Sequence, residues 1–222
     1  YYEKNVFEWI NSHGANFSYI FLSRPTIAIK YIEIVKKYTT AKIIYYGHDL
    51  HYLRELRQFQ VERKEELLKS SERYREMENK IFNLADVIYY PSQSEIDIIE
   101  SEFNITKPAR AIALYIYEKF PERNYWVKKR KDLMFVGGFL HQPNVDAVLW
   151  FLEQIWPKVT AILSEVNFFI VGSNPPEIFK TITFSNVRVF GFITDNELEQ
   201  LYNQCRIVVA PLRFGAGIKG KI

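Results

Sequence analysis

The chain contains 222 residues, of which 48% are hydrophobic, 16% aromatic and 25% charged, and its formal net charge is +3. This composition is that of a globular protein with one large domain or two of about 100 residues each. The single cysteine, Cys205, excludes an internal disulfide framework. No apolar run reaches the roughly 18 residues of a membrane-spanning helix, and the nearly balanced charge disfavours nucleic acid as a partner.

We interpret the chain as a piece of a longer protein, because it begins at Tyr1 without methionine and stops at Ile222 without a closing element. The lack of a visible signal peptide and the single cysteine favour a cytoplasmic location. A peripheral contact with the inner face of the membrane is left open as a further expectation.

Helix and strand patterns alternate through the first half of the chain, which predicts a parallel sheet with helices on both faces. The strands expected here are a buried strand over 17–22 and further strands over 41–46, 85–92 and 109–117. The helices expected here are one that begins near Pro25 with Ile27, Tyr31, Ile34 and Val35 on its apolar face, one long amphipathic helix over 52–84, and one over 93–103 that Ser92 caps. A coiled coil is the weaker alternative for 52–84, because its heptad pattern is irregular.

A polar, basic stretch over 119–131 interrupts the alternation and is predicted to link a domain over 1–118 to a domain over 132–222. The pattern then resumes. The strands expected in this half are 133–136, 167–171, 187–190 and 207–210, and the helices are 144–163, a short one after Pro176, and 195–204. The sequence therefore predicts two open α/β sheets in tandem.

Ligands of open α/β sheets bind at the carboxyl ends of the strands, so the loops after the predicted strands are where chemistry is expected. The last of these loops is rich in glycine and in cations. Glycine lets backbone N–H groups approach a ligand, and the cations neutralise a diphosphate. We therefore predict phosphate binding by Arg213, Gly215, Gly217 and Lys219, with a flexible, solvated turn as the alternative.

Two more glycine loops follow predicted strands. Gly137 and Gly138 are predicted to approach the same diphosphate or to form a tight turn, since no third glycine completes a dinucleotide fingerprint. Gly191, Phe192 and Ile193 are predicted to present backbone groups to a flat nucleobase, or to turn a corner of the chain.

His48, Asp49 and His51 form the only cluster of titratable groups at a predicted strand end. A histidine with a pKa near neutrality contacts sugar hydroxyls or shares a proton, so we predict a catalytic or sugar-contacting role for His48 and Asp49. The alternative is that Asp49 caps the following helix. No third ligand lies near the histidines, so no metal is expected. Arg54 and Arg57 follow about one helical turn after the histidines, and they are the neighbouring cations most expected to contribute to this site.

Taken together, these motifs resemble the donor-binding half of family-4 glycosyltransferases. The motifs that carry the resemblance, in the order and spacing of the family, are Phe135–Gly138 with Pro143–Asp146, Phe169–Ser173, Val189–Ile193, Val209–Leu212 and Gly215–Lys221. The first half is similar to the acceptor-side domain of the same group through Ser23–Pro25, His48–His51 and the segment from Ala85 to Glu95.

The resemblance implies a GT-B fold, in which two Rossmann-like domains carry parallel sheets, both incomplete in this chain. It implies transfer of a sugar from a nucleoside-diphosphate sugar to a glycan or lipid-linked acceptor, with retention of configuration and without a cofactor or metal. It also places His48 beside the donor sugar, the backbone of 191–193 along the nucleobase, and the loop 213–221 near the donor sugar and diphosphate. The family commonly builds cell-envelope polysaccharides, so a surface glycan is the expected product.

The chain departs from the family at several positions. Many members carry an arginine and a lysine after the first strand of the second domain, where this chain has Gly138 and the stretch 140–144. Arg213 and Lys219 are expected to compensate by offering positive charge to the leaving diphosphate. Ala216 stands where the family has the first of two glutamates. Two alternatives therefore stay open: a GT-B module that binds without catalysis, and a nucleotide-sugar epimerase.

Overall fold

The computed structural model describes residues 5–113 and 129–218, which fold into two compact α/β units. Residues 5–113 and 214–218 form the first unit, and residues 129–213 form the second. Each unit contains a four-stranded parallel sheet, so the predicted α/β class with two parallel sheets is confirmed. Most of the linker predicted over 119–131 lies outside the described residues.

The first unit opens with a helix that the sequence patterns did not predict, α1 (Val6–His13), in which the Asn5 side chain accepts a hydrogen bond from the backbone of Glu8. Its strands are β1 (Tyr19–Ser23), β2 (Lys42–Tyr46), β3 (Val87–Tyr90) and β4 (Ala109–Ala111). Its other helices are α2 (Pro25–Tyr38), α3 (His51–Glu62), α4 (Glu65–Leu84) and α5 (Gln93–Glu102). Residues 114–117 of the predicted fourth strand lie outside the described residues.

The helices of the first unit pack on one face of its sheet, so the prediction of helices on both faces is wrong for its described residues. The strands lie in chain order, β1-β2-β3-β4. Right-handed connections between parallel strands that advance in one direction put every crossover helix on the same side. The side chains on that side, among them Leu22, Tyr45 and Tyr90, join one apolar cluster with the helices. Tyr19 and Phe21 point to the other face and are 63% and 61% exposed, so β1 is not the buried strand predicted.

The long charged segment forms two helices and not the single helix, or coiled coil, that the pattern indicated. α3 ends at Glu62, Arg63 has a left-handed backbone with φ of 58°, and α4 begins at Glu65. The N–H of Arg63 donates to the carbonyl of Phe59 at 2.8 Å, and the two helices pack against each other. The sequence does not predict this turn, because neither glycine nor proline marks it. The packing of α3 against α4 offsets the cost of about 1 kcal/mol for the left-handed backbone of Arg63.

Two smaller expectations in the first unit need correction. Ile27, assigned to the apolar face of α2, is 45% exposed, because the buried stripe runs through Ala28 and Ile32 instead. Ser92 occupies the N-cap position of α5, but its hydroxyl pairs with that of Ser94 at 2.6 Å and does not cap a backbone N–H.

The second unit follows the predicted order of elements with one break. Its strands are β5 (Asp132–Val136), β6 (Phe168–Val171), β7 (Val187–Gly191) and β8 (Cys205–Val208). Its helices are α6 (Gln142–Gln154), α7 (Trp156–Thr160) and α8 (Asp195–Gln204), with a 3-10 helix over Glu177–Thr181. The helix predicted over 144–163 is divided at Ile155, because Pro157 cannot continue a helix but fits the first turn of a new one.

In the second unit the helices do cover both faces of the sheet. The strand order is β7-β6-β5-β8, so the chain moves outward from β5 to β7 and then returns to the other side of β5. Phe151, Trp156 and Phe168 belong to the core on one face, and Leu201 of α8 packs with Met134 on the other. Within residues 5–113 and 129–218, no helix has the length and hydropathy needed to cross a membrane.

Candidate functional site

The strand order of the second unit reverses between β5 and β8, and this reversal marks the expected ligand position. The first connection leads from β5 to β6 and the last leads to β8 on the opposite side, so the loops after β5 and β8 diverge from adjacent strand ends. The pairing continues past the strands, where the N–H of Val209 donates to the carbonyl of Met134 at 2.8 Å. A crevice at such a switch point is the usual ligand site of open α/β sheets. The predicted residues Gly137, Gly138 and Arg213 lie in these two loops.

The loop after β5 is held by hydrogen bonds from both sides. The N–H of Gly137 donates to the carbonyl of Val171 at 2.9 Å, and the Asn144 side chain donates to the carbonyl of Gly138 at 2.8 Å. A Cβ at Gly172 would lie 1.9 Å from the carbonyl oxygen of Gly137, so only glycine permits this approach. At Gly138 a Cβ would meet nothing closer than 3.5 Å. The loop therefore has a fixed path, and a Cβ at Gly138 would make an ordinary van der Waals contact with the hydroxyl of Ser173.

Arg213, predicted to neutralise a diphosphate, is engaged by a carboxylate of its own unit. Its Nε donates to Asp146 on α6 at 2.9 Å, and its Nη2 bonds to the second oxygen of the same carboxylate. The Arg213 side chain is 37% exposed and that of Asp146 is 17% exposed. Sequence reasoning missed Asp146, because 67 positions separate the two residues and no local pattern connects them.

The segment predicted to line a nucleobase borders a cavity of about 310 Å³. Gly191 has φ of 69°, and its carbonyl accepts a hydrogen bond from the N–H of Gly172 at 2.9 Å. Phe192 is 81% exposed, and Ile193 packs towards α8. The residues that line the cavity are Pro175, Pro176, Phe179, Lys180, Val189, Phe190 and Gly191. Of the three predicted residues, Gly191 alone lines it.

In the first unit His48 is an exposed side chain at the end of β2. Its Nε2 lies 2.9 Å from the hydroxyl oxygen of Ser23 at the end of β1, and its ring meets that of Tyr46 edge-on at 5.4 Å. A Cβ at Gly47 would lie 2.1 Å from the ring of Tyr90, so glycine is required before the histidine. The parallel pairing of β1 with β2 brings Ser23 to His48. The sequence patterns placed this serine in the N-cap region of α2 and did not connect it with the histidine.

Asp49 does not cap α3, so that alternative is wrong. The N-cap is Leu50, whose side chain cannot accept a hydrogen bond, and Asp49 forms an ion pair with Arg54 at 2.8 Å. Carboxylates from other helices satisfy the first N–H groups of α3 instead. Glu95 accepts from the N–H of Leu50 at 2.9 Å, and Glu78 accepts from the next two N–H groups at 2.8 and 3.3 Å.

These capping carboxylates are buried, which distinguishes them from ordinary surface charges. Glu78 is fully buried and Glu95 is 3% exposed. Burial raises the pKa of Glu78 to about 8, against the opposing effect of the two N–H groups that it accepts. Burial also lowers the pKa of His51, whose backbone N–H is one of those donors. Glu78 was not singled out from the sequence, because it lies among many charged residues of α4, and Glu95 was named only as part of the segment that resembles the acceptor-side domain.

The glycine-rich end of the chain packs with the first unit, beside the predicted catalytic loop. Gly215 accepts a hydrogen bond from Nη1 of Arg57 at 2.8 Å. Gly217 has φ of 75°, and a Cβ there would lie 3.0 Å from the carbonyl oxygen of His48 and 3.1 Å from the Cβ of Asp49. The first unit therefore brings Gly215 and Gly217 together with His48 and Asp49. Lys219 lies outside the described residues.

In the part of the chain that the structure describes, no group of three or more histidine, cysteine, aspartate or glutamate side chains is arranged to hold a metal ion. Cys205 is buried, and burial raises the pKa of its thiol to about 12, so it is a packing residue.

Comparison with known proteins identifies relatives of both units. Residues 130–222 match the family model described as "Glycosyl transferases group 1". An uncharacterized 41.2 kDa protein in the cps region of Klebsiella pneumoniae is 24% identical over 219 residues, which are 95% of this chain and 55% of that protein. An uncharacterized 44.6 kDa protein in the cps region of the same species is 27% identical over 112 residues, 47% of this chain and 27% of that protein.

Among solved structures, sucrose-phosphate synthase from Thermosynechococcus elongatus is similar over 96% of this chain and 58% of its own, with a TM-score of 0.67 and 15% identity. The matched part of the chain spans about half of the 41.2 kDa relative and about a quarter of the 44.6 kDa relative. The likeness to the synthase establishes the fold, and the family model matches the second unit. The second unit is therefore similar to the group 1 glycosyltransferases, and the two α/β units have the parallel sheets of a GT-B fold.

Proposed function

We propose that the protein transfers a sugar from a nucleoside-diphosphate sugar to a glycan or lipid-linked acceptor, with retention of anomeric configuration, in cell-surface polysaccharide biosynthesis. The observation that carries the proposal is the switch point of a group 1 glycosyltransferase domain, where Gly137, Gly138 and Arg213 leave adjacent strand ends. The names of the two Klebsiella relatives, both in the cps region, support the polysaccharide context.

The donor's diphosphate is assigned to the loops after β5 and β8. Gly138 has no side chain to keep a phosphate away from its backbone, and Arg213 supplies positive charge. The bond to the leaving diphosphate breaks through an oxocarbenium-like state, so charge grows on the diphosphate oxygens and cations fixed beforehand stabilise it. Gly215, Gly217 and Lys219 are assigned to the same donor.

The nucleobase is assigned to the cavity that Gly191 lines. A volume of about 310 Å³ and walls formed by proline and phenylalanine side chains suit a flat, largely apolar ring. Phe192 and Ile193 do not line the cavity, and the proposal assigns them to the nucleobase through their backbone groups. Backbone groups next to Gly191 would then select the base by hydrogen bonds to its edge.

His48 is assigned to the transferred sugar. Its ring is exposed, and Ser23 holds Nε2 at 2.9 Å, so the orientation of the imidazole is fixed while Nδ1 faces elsewhere. A ring fixed in this way contacts a sugar hydroxyl without rearranging. Asp49, paired with Arg54, supports the same loop. The proposal needs no metal and no cofactor, and no nucleic acid partner.

A calorimetric screen of UDP, GDP, ADP and their sugar conjugates, on the full-length protein that contains this chain, tests the proposal. One nucleoside diphosphate should bind more tightly than the matching nucleoside, equally with and without a chelator. The bound nucleotide's sugar conjugate should then release that diphosphate when an acceptor extract is added. If no nucleotide binds, the proposal is wrong.

One observation favours a second candidate, a GT-B module that binds without catalysis. Ala216 stands where the resemblance places a glutamate, and a methyl group can neither bind a sugar hydroxyl nor move a proton. The two candidates separate in the same experiment. Tight nucleotide binding without transfer or donor hydrolysis, across a wide range of acceptors, would identify the binding module.

In the proposal the protein works in the cytoplasm, at the inner face of the membrane, because a lipid-linked acceptor would be presented there. Flotation with liposomes of an anionic lipid composition tests this part alone. Co-flotation supports membrane contact, and recovery of all the protein in the unbound fraction contradicts it without affecting the assignment of the donor site.

A further inference from the structure

Helix α6 carries two side chains that reach back to the two sides of the candidate phosphate site. The helix begins at Gln142, directly after the glycine loop, so its first turns lie beside the switch point. Asn144 and Asp146 both lie in these turns. One bonds to the loop after β5 and the other to the loop after β8.

Asn144 fixes the glycine loop. Asn144 is 4% exposed, and its side-chain amide nitrogen donates a hydrogen bond to the carbonyl of Gly138 at 2.8 Å. Because that carbonyl is engaged, the peptide that follows Gly138 has a set orientation. Because Gly137 and Gly138 carry no side chains, hydrogen bonds such as this one, together with the buried side chain of Phe139, hold the shape of the loop.

Asp146 fixes the cation. A carboxylate that engages both Nε and Nη2 of one guanidinium sets the plane of that group as well as its position. A carboxylate next to an anion site also lowers the local positive potential. A site built for charge alone would not contain one, so the benefit of Asp146 is geometric.

We propose that Asn144 and Asp146 are positioning residues that preorganise Gly138 and Arg213 for the donor's diphosphate, an inference that rests on the proposed function. Asp146 acts through Arg213 and Asn144 acts through the backbone of Gly138. Neither touches the donor. Binding then proceeds without the ordering of a long side chain, which otherwise weakens affinity by about tenfold.

Calorimetric titration of the full-length protein with inorganic pyrophosphate tests the inference, because pyrophosphate shares its chemistry with every nucleoside diphosphate. Asp146→Ala should weaken binding about fivefold to tenfold. Asp146→Asn, which keeps one acceptor oxygen, should weaken it less. Glu33→Ala is the matched control, since it breaks an exposed ion pair with Lys80 of 2.8 Å in the first unit and should leave the affinity unchanged. Circular dichroism melts of each variant check that the fold is retained, which is expected for a surface pair.

A double-variant cycle separates positioning from a general structural effect. In an Arg213→Ala background, Asp146→Ala should have no further effect on pyrophosphate affinity, because the residue acts through the missing arginine. An additional loss in that background would contradict the inference, and so would equal or tighter binding by Asp146→Ala alone. A wild-type protein that binds neither pyrophosphate nor any nucleoside diphosphate would overturn the proposed function itself.

Discussion

The two units hold their functional loops by opposite means. In the first unit, buried Glu78 and Glu95 bind the N–H groups at the start of α3, just after His48 and Asp49. In the second, an ion pair between the partly exposed Arg213 and the side chain of Asp146 joins one loop to α6. Buried, hydrogen-bonded carboxylates are costly to disturb, while exposed ion pairs contribute little to stability.

The comparison indicates a division of tasks between the units. The first unit's loop is tied to the stability of its core, so changes there should unfold the protein before they alter binding. The ion pair of the second unit can be removed with the fold intact, so substitutions of Arg213 or Asp146 should appear in ligand affinity. The comparison would fail if removal of the buried glutamates changed ligand affinity with the fold intact. It would also fail if removal of the ion pair unfolded the protein.

The largest expected effect on stability comes from the close approach of Gly172, after β6, to Gly137, after β5. Gly172→Ala would place a Cβ 1.9 Å from the carbonyl oxygen of Gly137, at a φ of 155°, so the backbone must move. We expect a loss of about 4 kcal/mol in the free energy of unfolding. Urea denaturation measures it. Gly138→Ala is the matched control, because its Cβ would meet nothing closer than 3.5 Å; equal losses in both variants would contradict the argument.

A somewhat smaller loss in the free energy of unfolding is expected when the buried cap of α3 in the first unit is removed. Glu78→Ala leaves the N–H groups of His51 and Tyr52 without their acceptor, at a cost of about 3 kcal/mol. Glu78→Gln retains an acceptor oxygen and should lose less. Thermal melts of both variants check this, and a wild-type melting temperature for Glu78→Ala would show that the cap is dispensable.

The same carboxyl predicts a pH dependence of stability. Burial raises the pKa of Glu78 to about 8 in the folded protein, above the 4.5 that is ordinary for a glutamate. Between these values the folded state holds a proton that the unfolded state has released, so stability falls as pH rises. The wild type should lose about 2 kcal/mol more than Glu78→Gln between pH 6 and pH 8. Parallel pH curves for the two proteins would contradict the raised pKa.

The sequence predicted the α/β class and the strand-end loops because both follow from local patterns. Gly137, Gly138 and Arg213 could be placed in this way, since each comes directly after a predicted strand. The turn at Arg63 could not be predicted, because a tertiary contact and not a local signal stabilises it. The partner of Arg213 was equally hidden, since long-range pairs depend on the order of the strands.

Helices were predicted on both faces of each sheet, and strand order explains why this prediction holds for the second unit and fails for the first. Helices and strands alternate in the same way in both halves of the sequence. The order of strands in the sheet reverses at β5 in the second unit, and it advances in one direction in the first. The exposed Phe21 and the buried Phe169 both lie in strands with similar apolar runs. A run of apolar residues therefore predicts a strand without predicting which of its faces is covered.

The most direct test of the central claim follows the amide and guanidinium signals of the switch point by nuclear magnetic resonance. The full-length protein is titrated with the nucleoside diphosphate that the calorimetric screen selects. We predict chemical-shift changes that follow the binding isotherm for the backbone N–H signals of Gly137 and Gly138 and for the Nε–H signal of Arg213. The N–H signal of Gly14 in the first unit should not shift. Saturable binding that leaves all three signals of the switch point unmoved would contradict the account.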